Sequence, residues 1–163
     1  MSARSKAGAP PEIVPPCGLY CGVCRLYTAT QEGDHDLLAR LARIYARRLE
    51  GAGSMTADDL LCDGCLSERR SSLCRACSIR DCTQENGIQG CHRCDDFPCE
   101  RIDAFPVPVG RRVILRSVPY RRTHGTEIWV RAEEARYRCP ECGGSAYRGA
   151  QRCPRCQIPV SLD

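Results

Sequence analysis

Cys139-Pro140-Glu141-Cys142-Gly143-Gly144 and, ten residues on, Cys153-Pro154-Arg155-Cys156-Gln157 decide how this chain folds. Each Cys-x-x-Cys pair supplies two thiolates from one tight turn, and two such turns brought together surround one tetrahedral ion. The spacing predicts a small zinc ribbon, with a β-hairpin that carries Tyr147 and Arg148 between the two turns. Rubredoxin-type iron uses similar knuckles with a longer insert, so zinc is the expected ion. A closed shell of Cys139, Cys142, Cys153 and Cys156 leaves no coordination position for a substrate, and the predicted role is structural.

The other eleven cysteines fall upstream in three blocks. Cys17, Cys21 and Cys24 form the first, and 37 residues without cysteine separate it from the second, Cys62, Cys65, Cys74 and Cys77. The third is Cys82, Cys91, Cys94 and Cys99, followed by 39 cysteine-free residues before the ribbon. The second and third blocks hold eight thiolates, enough for two four-coordinate sites. Two partitions fit the spacing: a sequential one, block by block, and an interleaved one in which pairs alternate between sites. Ser78 with Asp81 three residues on reads as a helix start and Asn86-Gly87 as its stop, which puts Cys82 on a short helix. Asp96 and Pro98 open a second helix through Phe105, with Cys99 in its first turn where the dipole favours a thiolate.

The first block has the Cys-x-x-x-Cys-x-x-Cys spacing that holds three irons of a four-iron cluster in radical S-adenosylmethionine enzymes. The likeness ends there, because those enzymes carry an aromatic residue where this chain has Val23, and they need a barrel of about 200 residues. Two completions remain open: a 4Fe-4S cluster bound as cofactor by Cys17, Cys21 and Cys24, or a closed site whose fourth ligand is His35 or a cysteine of another block.

Composition supports metal in place of oil. Fifteen of 163 residues are cysteine, about 9%, a level typical of cross-linked chains. Ile, Leu, Val and Phe together make 30 residues, about 18% and below the roughly 20% that an ordinary core requires. The net charge of +4 is too small for self-repulsion to keep the chain unfolded. No run of 18 apolar residues occurs, and the stretch up to Pro16 has no apolar signal core, so the expectation is a cytoplasmic protein without a membrane partner. Thiols stay reduced in that compartment, where paired Cys-x-x-Cys motifs bind metal, and an odd number of cysteines cannot all pair within one chain. Each closed thiolate site contributes on the order of 10 kcal/mol of apparent folding free energy.

Between the blocks, Leu37, Leu38, Leu41, Ile44, Tyr45 and Leu49 share one face from Asp36 to Glu50, with Arg40, Arg43 and Arg47 opposite and Gly51 as the stop. A shorter helix is expected over 54–61. Residues 111–138 carry eight arginines against three glutamates and read as helix, turn, helix, broken at His124-Gly125, with Pro119 kinking or shortening the first and Trp129 anchoring the second. This basic segment suits polyanions. However, 23 of the 24 basic residues are arginine, which points to genome composition, and nucleic acid is the weaker of the partner classes. His92 and His124 have no acid or nucleophile at a recognisable offset, and no phosphate loop or nucleophile elbow is present. No catalytic residue is assigned, and the reading leans away from an enzyme.

Cys17-Gly18-Leu19-Tyr20-Cys21-Gly22-Val23-Cys24, the Cys62-Asp63-Gly64-Cys65 knuckle, Cys77-Ser78-Ile79-Arg80-Asp81-Cys82 and Cys91-His92-Arg93-Cys94-Asp95-Asp96-Phe97-Pro98-Cys99 follow one another in an order that resembles the cysteine-rich prokaryotic family catalogued as domain of unknown function 3795. The resemblance covers about residues 15–105, and Trp129 and Tyr137 before a Cys-Pro-x-Cys knuckle are similar to the zinc-ribbon extension many members carry. It implies a metal-binding module with these cysteines as ligands, and supplies no catalytic residue. The expected architecture is a small, mostly α, metal-stapled cysteine-rich domain with little regular strand plus a C-terminal β-hairpin zinc ribbon. Its parts are a flexible leader (1–15), the cysteine-rich domain (16–105), a basic helical connector (106–138) and the ribbon (139–163). The expected function is metal binding, zinc with an iron–sulfur cluster as a further cofactor, in an interaction or scaffold module for a protein partner. The alternatives are electron transfer or cluster handling through the first block, and a nucleic-acid-binding zinc-ribbon protein.

Overall fold

The computed structural model describes residues 8–48 and 53–163. Seven α-helices follow in order among them: α1 Arg25–Glu32, α2 His35–Arg48, α3 Ser72–Arg75, α4 Ser78–Glu85, α5 Glu100–Asp103, α6 Pro108–His124 and α7 Thr126–Arg136. The chain is mostly helical, and the expected helix end at Leu49, Glu50 and Gly51 lies outside the described residues.

The period of three and four in the first cysteine-free stretch gives α2, begun one residue earlier than the sequence predicts. Asp34 accepts a hydrogen bond from the Leu37 N–H at 2.9 Å and so caps the helix. The buried face, Leu38, Leu41 and Ala42, packs on Leu26 and Ala29 of α1 and on Leu60 and Cys62. The helix expected over 54–61 is a single 3-10 turn, Asp58–Leu60. Asp59 accepts from both the backbone N–H and the hydroxyl of Thr56, a local bond that competes with continuous helix.

The helix–turn–helix expected downstream is α6 and α7, meeting at Gly125. Pro108 stands in the first turn of α6, where its missing N–H costs nothing. Pro119 does not shorten this helix, which continues to His124. Trp129 is completely buried and packs with Ile13, Tyr20, Val23, Val130 and Tyr137, which joins α7 to the first cysteine block. A third cluster unites Cys17, Ile79, Cys91 and Ile102 with Ile114 and Val118 of α6. Among the described residues the apolar interior is thus three small clusters, each holding or flanked by cysteines.

The C-terminal segment departs from expectation in one respect. No β-hairpin joins the two knuckles; two isolated antiparallel bridges occur instead, Arg138 with Ser145 and Arg152 with Pro159. Each knuckle closes on its own return, so the backbone bonds are used within the turns. Gly143, Gly144 and Gly149 crowd the short segment between them, and glycine weakens regular strand. No helix is long and apolar enough to cross a membrane among the described residues.

Candidate metal centres

The two C-terminal knuckles share one backbone design. In the first, the Cys139 N–H donates to the Gly144 carbonyl and the Gly143 N–H returns to the Cys139 carbonyl, both at 2.9 Å. In the second, Cys153 N–H donates to Ile158 and Gln157 N–H to Cys153, at 2.9 and 3.0 Å. The residue after the second cysteine of each knuckle is left-handed, Gly143 at φ 65° and Gln157 at φ 62°. These turns bring Cys139 Sγ to 3.6 Å from Cys156 Sγ and Cys142 Sγ to 3.6 Å from Cys153 Sγ. All four sulfurs lie within 4.8 Å of one another. Zinc–sulfur bonds of about 2.3 Å give a tetrahedron with edges of about 3.8 Å, so the tetrad has the dimensions to hold one ion. Backbone N–H groups of Cys156 and Arg155, the latter at 3.4 Å, lower the Cys153 thiol, while its neighbour Cys156 is raised by its contacts with the other three sulfurs. A thiolate is the form that binds metal.

The first and second blocks meet in one nest of seven cysteines. Burial pushes the Cys17 thiol up to about 12, with Cys65 and Cys77 near enough to add to the rise. Cys21 is likewise raised by burial, then by Cys24, Cys65 and Cys17. Desolvation of its sulfur raises the Cys74 thiol although the residue as a whole is exposed, helped by Cys24, Cys62, Cys65 and Cys77. The three thiols of the first block therefore face the four of the second. His35, the other residue considered for completing the first block, is exposed at the start of α2. Local bonds seat the nest. The Cys62 N–H donates to Thr30 Oγ1 at 3.0 Å, and the Leu66 N–H donates to the Glu12 carbonyl at 3.0 Å. Gly64, at φ 125°, passes so close to that strand of backbone that a Cβ there would stand 2.4 Å from the Glu12 oxygen.

The third block gathers round a cavity of its own. Cys82, Cys91, Cys94 and Cys99 all line it, together with Ile79, Ile88, Phe97 and Ile102. Cys82 rides on α4 as expected, although the helix is capped by Cys77, whose sulfur accepts from the Arg80 N–H at 3.5 Å, and not by Ser78. Cys91 and Cys94 bracket a 3-10 turn. Cys99 is the N-cap of α5, one position before the expected first turn, and that helix ends at Asp103 short of Phe105.

Arginines around the thiols are the participants that sequence reasoning missed. Arg80 is buried and donates to the carbonyls of Cys74 and Arg75 at 2.8 and 2.6 Å; its charge also opposes the burial-driven rise of Cys65. Arg121 is buried, donates to the Pro15 carbonyl at 3.0 Å and has Cys17 and Cys91 nearby. Arg122 donates to the carbonyls of His92, Cys91 and Cys94 at 3.2, 3.4 and 2.7 Å. Arg148 donates to the Tyr20 carbonyl at 2.8 Å. No spacing signal marks these four among 23 arginines.

The family model described as "Protein of unknown function (DUF3795)" covers residues 13–104, which is more than half of the chain. No curated protein and no solved structure matches.

Proposed function

The chain belongs to this DUF3795 family of unknown function, and from that premise we propose that it is a metal–thiolate protein whose C-terminal tetrad binds one structural zinc ion. The observation that carries the reading is the pair of 3.6 Å sulfur separations inside a tetrad that fits within 4.8 Å. Thiolates at these distances close round an ion on all sides and leave no site for a substrate. Cys65, Cys74 and Cys77 lie near the first block, so thiols are at hand to complete a closed site at Cys17, Cys21 and Cys24.

This assigns the protein a role as a cytoplasmic interaction or scaffold module with a protein partner, its shape held by metal. A polyanion is the weaker partner because the basic connector spends much of its charge internally: Arg116 on Glu133, Arg121 on Pro15, Arg122 on the third block's carbonyls, Arg111 on Asp103 and Arg131 on Glu127. Elemental analysis of the anaerobically purified chain tests the zinc assignment. Cys142→Ser is expected to lose one equivalent of zinc relative to the parent protein; an unchanged zinc content would overturn it.

A further inference from the structure

The third cysteine block and the C-terminal tetrad differ in scale, and the difference identifies what each can hold. Two thiolates on a single zinc ion cannot stand farther apart than twice the bond length, about 4.6 Å. The C-terminal tetrad nearly meets that limit; among the described residues, no other three cysteine, histidine or carboxylate ligand atoms lie within 4.8 Å of one another. Yet Cys82, Cys91, Cys94 and Cys99 line one cavity, and Cys91 and Cys99 pack in one apolar cluster with Ile79 and Ile102. Four thiols therefore surround a space without converging on a point. The space has a volume of about 30 Å³, more than the roughly 10–15 Å³ that one water requires.

We propose that Cys82, Cys91, Cys94 and Cys99 bind a four-iron, four-sulfide cluster, one cysteine to each iron. This rests on reading the chain as a metal–thiolate protein, and adds a second class of metal centre to it. A cubane needs its thiolates spread round a polynuclear core, which is the arrangement that helix α4, the Cys91–Arg93 turn and the cap of α5 produce. Ile79, Ile88, Phe97 and Ile102 supply most of the remaining lining, with Thr83 and Arg101 completing it, and a largely apolar shell limits water access to a cluster. Hydrogen bonds to ligand sulfur set cluster potentials, and one is in place: Asn86 Nδ2 donates to Cys82 Sγ at 3.7 Å while also donating to the Cys82 carbonyl at 2.8 Å. Arg122 fixes the opposite side through the Cys91 and Cys94 carbonyls.

The test is anaerobic reconstitution of the full chain with ferric iron, sulfide and excess thiol, which reduces half of the iron, followed by iron, acid-labile sulfide and zinc analysis. Cys94→Ala should bind about four iron and four sulfide fewer than the parent, and Cys142→Ala should lose zinc while keeping the iron. Parental iron in Cys94→Ala, or one zinc ion bound at these four cysteines, overturns the cluster; loss of the zinc assignment alone leaves it standing. Because Cys94→Ala can fail by unfolding, Asn86→Ala provides a second reading. It should retain the iron and titrate with dithionite at a lower potential than the parent, since the donated hydrogen bond stabilises the reduced, more negative cluster. An unchanged potential overturns the placement of a cluster against Cys82.

Discussion

Trp129 offers a direct measure of how much this protein depends on a small amount of apolar contact. Its indole is wholly buried, meets the Tyr20 ring edge-on with centroids 5.8 Å apart, and lies under the Arg121 guanidinium at 5.0 Å. Truncation to alanine removes a buried aromatic worth about 3–5 kcal/mol. It also removes a ring pair worth about 0.5–1.5 kcal/mol and a cation–π contact of about 0.5–2 kcal/mol. The total, on the order of 5 kcal/mol or more, is comparable with the whole net stability of a marginal domain. Phenylalanine is a different perturbation. It keeps an aromatic ring for Tyr20 and Arg121, and it deletes Nε1, which is buried with no hydrogen-bond partner. An orphaned donor costs about 1–3 kcal/mol, so its loss offsets the smaller ring's cavity, and Trp129→Phe should cost about 1 kcal/mol. The assay is urea unfolding of the metal-loaded chain followed by far-ultraviolet circular dichroism. Equal destabilisation by the two variants, or a cost below about 2 kcal/mol for alanine, would refute the account of Trp129 as the anchor between α7 and the first cysteine block.

Metal removal can be followed with the same residue, the sole tryptophan of the chain: a strong chelator under reducing conditions should shift its emission to the red, because each lost site withdraws on the order of 10 kcal/mol, and an unchanged spectrum after complete removal would contradict metal-held folding. Gly64→Ala places a Cβ 2.4 Å from the Glu12 oxygen at φ 125° and should cost on the order of 3 kcal/mol through strain and a lost Leu66 hydrogen bond, measured by the same unfolding assay. Gln157→Gly should stabilise the second knuckle by up to about 1 kcal/mol because it occupies a left-handed position, while Gly143→Ala should destabilise the first by a similar amount; thermal unfolding of the zinc-loaded protein checks both signs. Glu133 is 1% exposed and paired with Arg116, so Glu133→Ala should cost about 3–5 kcal/mol, and adding Arg116→Met should recover most of it. A double-mutant cycle that finds no coupling would remove that pair from the account.

What the sequence made legible depended on whether a residue's role was local. The face of α2 could be read from Leu38 and Leu41 because helical periodicity is a neighbour effect, and Trp129 stood out as the largest apolar side chain in a segment with few others. Termini were less legible where competing side chains decided them. Ser78 looks like a cap, yet the Cys77 sulfur takes that role, and Thr56 with Asp59 reduces an expected helix to one turn. The hairpin failed because each knuckle closes on itself, a choice made by backbone bonds from Cys139 and Cys153 that no residue pattern signals. Long-range assembly was the least legible part. Nothing in the spacing shows that the first block lies near Cys65, Cys74 and Cys77, whereas the gathering of Cys82, Cys91, Cys94 and Cys99 round one cavity follows the sequential one of the two partitions the spacing allowed.

Charge accounting connects these sites to the arginine-rich composition. A thiolate shell carries more negative charge than the divalent ion inside it, and burying the excess is costly unless cations or hydrogen-bond donors face it. Lysine, a flexible point charge, satisfies that need less well than a guanidinium, whose planar fork is pre-organised and more weakly hydrated. Arg80 and Arg121 are the buried cations here, and both are fixed by carbonyls beside the nest while their charge acts on its sulfurs. Arg122 and Arg148 serve the third block and the first in the same way from more exposed positions. Part of the positive charge that reads in the sequence as a surface for polyanions, at Arg121 and Arg122, is therefore turned inward toward the cysteine blocks. Neutralising an exposed connector arginine such as Arg112 and neutralising Arg121 should consequently act on different properties, the first on surface charge and the second on metal retention.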